Sequence, residues 1–248
     1  MFKFNRRLRR ELFTKMNLKK YLFYTVGEVL LVMIGLLLAI QVNSWNAKRI
    51  DRNSEREYLR RLSNELITEI KQYSEVRDKF IEKEKRLKRI IRIWQSDSKS
   101  ISDSIQYIND FKWGGNIGPW FMEPVTWTQL IQTGDLKLIR DYQLVNELYY
   151  HNNLAKGIAD NYLMHPMQMT NRAREVWIEP FIHENIDIVI DTGEVSAVPS
   201  PDVYDNIWRN KESYLKLYME IVFISKMQYQ QLQTIIDSGQ RLLELLPR

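Results

Sequence analysis

The chain contains no cysteine. That excludes disulfides, thiol catalysis and cysteine-based metal centres, while leaving the compartment open. Histidine is nearly as scarce. His151, His165 and His183 are the three, and no two stand i, i+4 on a helix to preset a zinc site. There is no glycine-rich phosphate loop and no G-x-S-x-G elbow. His151 can be paired on paper with Glu147 or Asp160, but helical proteins of this size offer such pairs freely, so a folded-surface position is expected for it. The residues therefore name no catalytic group, no cofactor and no metal. A hydrolase built on the region from Trp113 to Trp127 would lack an identifiable nucleophile–base pair.

Proline and glycine are also few, 7 and 9 in 248 residues, and neither occurs between Asn43 and Gln95. The net charge of +5 is unevenly spread. Residues 1–20 hold Lys3, Arg6, Arg7, Arg9, Arg10, Lys15, Lys19 and Lys20 against the single acid Glu11, a net of +7 that leaves −2 for the rest. A slightly acidic main domain argues against nucleic acid as a partner. The basic arm suits an anionic lipid surface, with Phe2, Phe4, Leu8, Leu12 and Phe13 facing the membrane if it is helical. A disordered basic tail is the alternative for its first few residues.

Long apolar runs are absent but for one, Tyr21 to Val42, YLFYTVGEVLLVMIGLLLAIQV. A bilayer core of about 30 Å needs roughly 20 such residues in a helix. Tyr21 and Tyr24 mark one interface and Trp45 the other. The run ends in Gln41, Val42, Asn43, Ser44 and Trp45, a poor cleavage context, so an uncleaved signal-anchor is expected rather than a signal peptide. Lys48, Arg49, Arg52, Arg56, Arg60 and Arg61 follow the span. Eight basic residues before it against six after it favour a cytoplasmic N-terminus, with the large domain outside the cytoplasm.

Glu28 lies about 12 Å into this helix, counted from Lys20 at about 1.5 Å per residue. An ionisable group at that depth costs a few kcal/mol unless it is neutralised, paired or turned to a protein interior. Gly35 and Ala39 lie near its face and form a small-xxx-small pair that lets helices approach. Two readings stay open. Gly27, Glu28, Gly35 and Ala39 form a helix–helix interface, with an ion path as its extreme form, or Glu28 snorkels to the headgroups and pairs with Lys19 or Lys20.

Beyond the span, Leu59, Leu62, Leu66, Ile70, Tyr73, Val76, Phe80, Leu87, Ile90 and Trp94 recur at three, four or seven residues. This predicts one long helix over 43–95 with a single apolar stripe. The bulky Tyr73, Phe80 and Trp94 favour packing on the domain's other helices over a coiled-coil seam. Shorter helices are expected over 101–185. Among them, Gly134 caps one helix in the left-handed conformation, Asp141 caps the next, and a helix over Leu154–Met164 stops before Pro166. Trp113, Trp120 and Trp127 are expected to fill core rather than form a ligand platform. Ile186 to Ile190 alternates as a short strand or an extended link does. Asp191-Thr192-Gly193 reads as a turn, since the second such triplet that an aspartic protease requires is missing. A long C-terminal helix over 200–246 is expected to return antiparallel to the first, with Ser225, Gln228 and Gly239 interrupting its stripe. The fold class is all-α: an arm (1–20), a transmembrane helix (21–42) continuing into a long helix, and an extracytoplasmic helical bundle within 43–248.

The spacing Tyr24-x-x-Gly27-Glu28-x-x-Leu31-Val32-x-x-Gly35-x-x-x-Ala39-x-Gln41-x-x-x-Trp45-Asn46 resembles the start of an uncharacterised family of Bacteroidota single-pass membrane proteins, a domain of unknown function. Thr128 to Tyr150, with a helix, Thr133-Gly134-Asp135-Leu136 and a second helix ending in aromatics, resembles a second stretch of it. The resemblance implies an inner-membrane protein and carries no catalytic residues; with the charge balance around the span, the large domain is expected in the periplasm. The expected partners are the lipid bilayer and either a second copy of the chain or another membrane protein.

Overall fold

The computed structural model describes residues 18–96, 104–116, 118, 120–181 and 201–247. Among them are six α-helices and no strand, so the protein is all-α. The helices are α1 (Leu18–Trp94), α2 (Ser104–Lys112), α3 (Val125–Thr133), α4 (Tyr142–Trp177), α5 (Pro201–Arg209) and α6 (Lys211–Leu245). Three 3-10 turns, Trp113–Gly115, Asp135–Leu138 and Glu179–Phe181, follow α2, α3 and α4. Arg6, Arg7, Arg9 and Arg10, the short strand or extended link expected at Ile186–Ile190 and the Asp191-Thr192-Gly193 turn lie outside the described residues.

The chain divides into two units, one ending at Glu57 and one running from Tyr58 to Arg248, and α1 contributes to both. In the first unit α1 is exposed along its apolar run from Leu22 to Val42. One window near the N-terminus is long and apolar enough to cross a membrane, and none of it is buried by the rest of the protein.

The second unit is a bundle of α4, α6 and the later part of α1. The α1 stripe falls where its period requires. Leu62, Leu66, Tyr73, Phe80, Leu87, Ile90 and Trp94 are all buried. They enter three successive core layers. Leu62 and Leu66 meet Leu144 and Leu148 of α4 and Leu242 of α6. Tyr73 and Phe80 meet Ala155, Ile158 and Tyr162 of α4 and Leu232 of α6. Leu87, Ile90 and Trp94 meet Met169 and Ala173 of α4 and Tyr214 and Tyr218 of α6. Residue numbers rise together in α1 and α4 and fall in α6, so α6 is antiparallel to both.

Between α1 and α4 the chain must return along the bundle, because its two neighbours run the same way. It starts at Phe111 in the third layer, passes Trp120 in the second and reaches Leu130 in the first. Gly114 and Gly115 make that return possible. A Cβ on Gly114 would stand 2.8 Å from the Tyr218 ring, and one on Gly115 would stand 2.7 Å from the Arg174 side chain and 3.1 Å from its Cα.

Gly134 does take the left-handed conformation (φ 71°) after α3, and the Asp141 side chain accepts from the Gln143 and Leu144 amides at the start of α4. Two expected boundaries differ. Helix α4 runs unbroken through Pro166 for 36 residues rather than stopping before it. Proline in a helix interior costs about 3 kcal/mol or more. Here Pro166 is itself buried, between Tyr162 and Met169 in adjoining layers, and that packing offsets the missing bond. The expected helix over 200–246 is two helices divided at Asn210. The Asn210 side chain donates to the Asn206 carbonyl at 3.0 Å and Ser213 Oγ donates to the Asn210 carbonyl at 2.6 Å. Such side chains compete with the helix ladder.

Two glycines test this packing with opposite signs. Gly115→Ala overpacks the return segment and should destabilise the bundle by about 1–3 kcal/mol. Gly157→Ala, in an exposed turn of α4 where a Cβ meets nothing within 4 Å, should stabilise it by about 0.5–1 kcal/mol. Thermal unfolding of the two variants beside the parent chain reads both, and equal shifts would contradict the close approach at Gly115.

Candidate functional site

Two places in the molecule carry chemistry beyond packing. One is the uncovered apolar part of α1. At about 100° per residue, Glu28, Gly35 and Ala39 fall within about 40° of one another around the helix, while Gly27 lies about 100° from Glu28, at the edge of that face. All four are exposed, and a Cβ on Gly27 or Gly35 would meet no atom of the chain within 4 Å. Glu28 has no ion-pair partner among the described residues. Lys19 and Lys20 sit in the first turn of α1, and their side chains lie outside the described set. Further along, Trp45, Lys48, Arg49, Arg52 and Arg56 gather on one exposed side of α1, the residue types that settle at a membrane–water boundary.

The other place is the polar centre of the bundle. His151 of α4 is not on the folded surface, as its sequence context suggested, but 2% exposed. Neither Glu147 nor Asp160 forms an ion pair with it, although Glu147 lies one turn away on α4 with Oε2 buried and without a hydrogen bond. Asp160 is exposed and pairs with Lys156 at 3.1 Å. The carboxylate beside His151 is Glu69 of α1, with Oε2 3.4 Å from Nε2. The contact is ionic in distance, but neither ring nitrogen has a well-formed hydrogen bond. Gly239 of α6 leaves room for the ring, since a Cβ there would stand 3.4 Å from His151 Cε1 and 3.0 Å from Ile70. The Tyr73 hydroxyl, one turn beyond Glu69, is buried without a hydrogen bond of good geometry, as is Trp120 Nε1. Burial first, then the nearby Glu69 charge, pushes the Tyr73 hydroxyl well above the ordinary tyrosine value.

The three tryptophans do not share a surface. Trp113 packs on the third core layer with Arg86 4.7 Å above its ring, Trp120 belongs to the second, and Trp127 lies edge-on to Tyr149 at the first. Among the described residues no group of three or more His, Asp or Glu side chains is placed to hold a metal ion.

Sequence reasoning missed Lys83. It occupies the one stripe position between Phe80 and Leu87 that lacks an apolar residue, and it is 1% exposed. That gap of seven in the stripe was the available signal. Lys83 Nζ donates to the Asn116 carbonyl at 2.8 Å, while Arg174 Nε donates to the neighbouring Gly115 carbonyl at 2.6 Å. Two cations from two helices thus hold the return segment by its backbone. Burial, with the Arg174 charge adding to it, lowers the Lys83 ammonium from 10.5 to about 7.

Comparison with protein-family models, with curated proteins and with solved structures returns no match.

The Lys83 shift has a sign that can be measured. Its folded value lies below its unfolded one, so between these values the unfolded chain binds more protons and stability rises with pH. The slope for one proton approaches about 1.4 kcal/mol per pH unit. Denaturant unfolding from about pH 7 to about pH 9, below the range where tyrosines titrate, should show this rise in the parent chain and not in Lys83→Met. Parallel profiles would contradict it.

Proposed function

We propose that the protein is a non-enzymatic, single-pass membrane protein, a scaffold, sensor or subunit of a membrane assembly, that associates through its transmembrane helix. The observation that carries this reading is the uncovered apolar length of α1, on which Glu28, Gly35 and Ala39 share one face. In hydrocarbon an uncovered leucine face is at no disadvantage, but a carboxyl group is, and it gains from a protein-lined interface. Small residues beside it let a second helix come close. We place the protein in the inner membrane with its N-terminus in the cytoplasm and the bundle in the periplasm, on the balance of basic residues flanking the span. The partner is a second copy of the chain or another membrane protein.

The position of Glu28 on the same face as Gly35 and Ala39 also supports a second reading, an oligomeric channel or ion-coupled subunit with Glu28 lining the pore.

The mass of the protein in nanodiscs tests the first reading. The parent chain should be a defined oligomer, and the Gly35→Leu, Ala39→Leu double variant a monomer. The variant removes no contact within the chain, because Gly35 and Ala39 are exposed in it. A monomer in both would exclude self-association. Glu28→Gln separates the two readings: a scaffold keeps its mass and partners, whereas an ion path loses flux in proteoliposomes.

A further inference from the structure

Trp45, Lys48, Arg49, Arg52, Asn53 and Arg56 line one hollow along α1 in the first unit, and all are exposed. At about 100° per residue, Trp45 and the four cations occupy an arc of about 100° around the helix. Of the acids in the same stretch, Asp51 and Glu57 stand clear of that arc and Glu55 is at its border.

A charged helix face is usually just a solvated one, so the number of cations alone carries nothing. Two further observations distinguish this face. The first is that its cations have no partners. Later on α1, Arg77 pairs with Asp78, Arg86 with Glu82, Lys88 with Glu84 and Arg89 with Asp110. Among the described residues, Lys48, Arg49, Arg52 and Arg56 have neither an ion pair nor a hydrogen bond. The second is height. Helix α1 is unbroken from Leu18 to Trp94, so distance beyond the apolar run follows from residue number. Counted from Val42 at about 1.5 Å per residue, Trp45 stands about 4 Å out, Lys48 and Arg49 about 10 Å, Arg52 about 15 Å and Arg56 about 21 Å. Headgroups fill about the first 5–8 Å outside the hydrocarbon. Trp45 falls within that layer. Lys48, Arg49 and Arg52 reach back to it with their long side chains, and Arg56 stands above it. The arc also lies about 100° around the helix from the face of Glu28, Gly35 and Ala39, so a helix docked on that face leaves the arc turned to lipid.

We propose that this arc binds the headgroup phosphates of anionic phospholipid, in the leaflet where α1 leaves the membrane. The guanidinium groups of Arg49 and Arg52 take phosphate oxygens in pairs, and Lys48 adds a third charge. Trp45 and the apolar run next to it hold the acyl chains, which a free phosphate lacks. The inference rests on the membrane reading of α1 and not on the oligomeric state.

The experiment is fluorine NMR of the full chain in phosphatidylcholine nanodiscs containing increasing phosphatidylglycerol. The label is a trifluoromethyl group on Asn53→Cys, the only thiol in the chain. The expected result is a saturable shift with phosphatidylglycerol and none when inorganic phosphate is added to pure phosphatidylcholine discs. Arg49→Gln should raise the phosphatidylglycerol content at half-shift about fivefold, the worth of one cation near the surface. The Lys48→Gln, Arg49→Gln, Arg52→Gln triple variant should lose the shift, and Arg56→Gln should change it less than twofold. These side chains bond nothing within the chain, so thermal unfolding of each variant should match the parent. No saturable shift, an equal shift with inorganic phosphate, or a parent-like response in the triple variant would overturn the lipid site while leaving the membrane reading intact. A chain that does not enter nanodiscs would contradict both.

Discussion

Apolar surface has to be covered, and on α1 the described chain covers only the later part. From Tyr58 onward each buried position of the helix finds residues of α4 and α6 in three ordered layers. Before it, Leu22 to Val42 stand exposed one after another. An exposed apolar surface of that extent marks a place where something else binds. In the proposed membrane, lipid would satisfy the leucines, valines and isoleucines but not Glu28, and that single carboxyl group is what motivates the proposed interface.

Within the bundle the governing constraint is topological. Parallel α1 and α4 oblige the chain to travel back along the bundle, and a backbone passing beside packed helices must have its carbonyls bound and its side chains removed. Gly114 and Gly115 remove the side chains, while Lys83 and Arg174 bind the carbonyls of Asn116 and Gly115. The cost is a lysine held in a place that disfavours its charge. The same return segment then brings Trp120 against Tyr73 and Met122 beside Glu69, so the polar centre follows from the way the chain is threaded.

What was legible in the residues was what repeats locally. The stripe from Leu62 to Trp94 announced its buried face by period, and Gly134 and Asp141 announced their caps by residue type. The role of Gly114 and Gly115 is steric and depends on Tyr218 and Arg174, far away in sequence, so no local pattern announces it. At Pro166 core packing overrides the local rule that a proline ends a helix. Asn210 escaped because its helix-breaking contacts come from its own neighbours rather than from a proline or glycine. The burial of His151 is not legible locally, because its partner Glu69 lies on a different helix that periodicity alone does not bring to it. On the membrane face, spacing does place Glu28, Gly35 and Ala39 together and leaves Gly27 at the edge.

The absence of cysteine permits a direct test of the central claim, that the apolar part of α1 is covered on the Glu28 side by another protein helix and elsewhere by lipid. Each of Glu28→Cys, Leu30→Cys, Gly35→Cys, Leu37→Cys and Ala39→Cys introduces the only thiol in the chain. Oxidative crosslinking in native membranes should join copies strongly from positions 28, 35 and 39 and weakly from 30 and 37, on the opposite side. Crosslinking without that periodicity, or none at any position, would contradict self-association through this face.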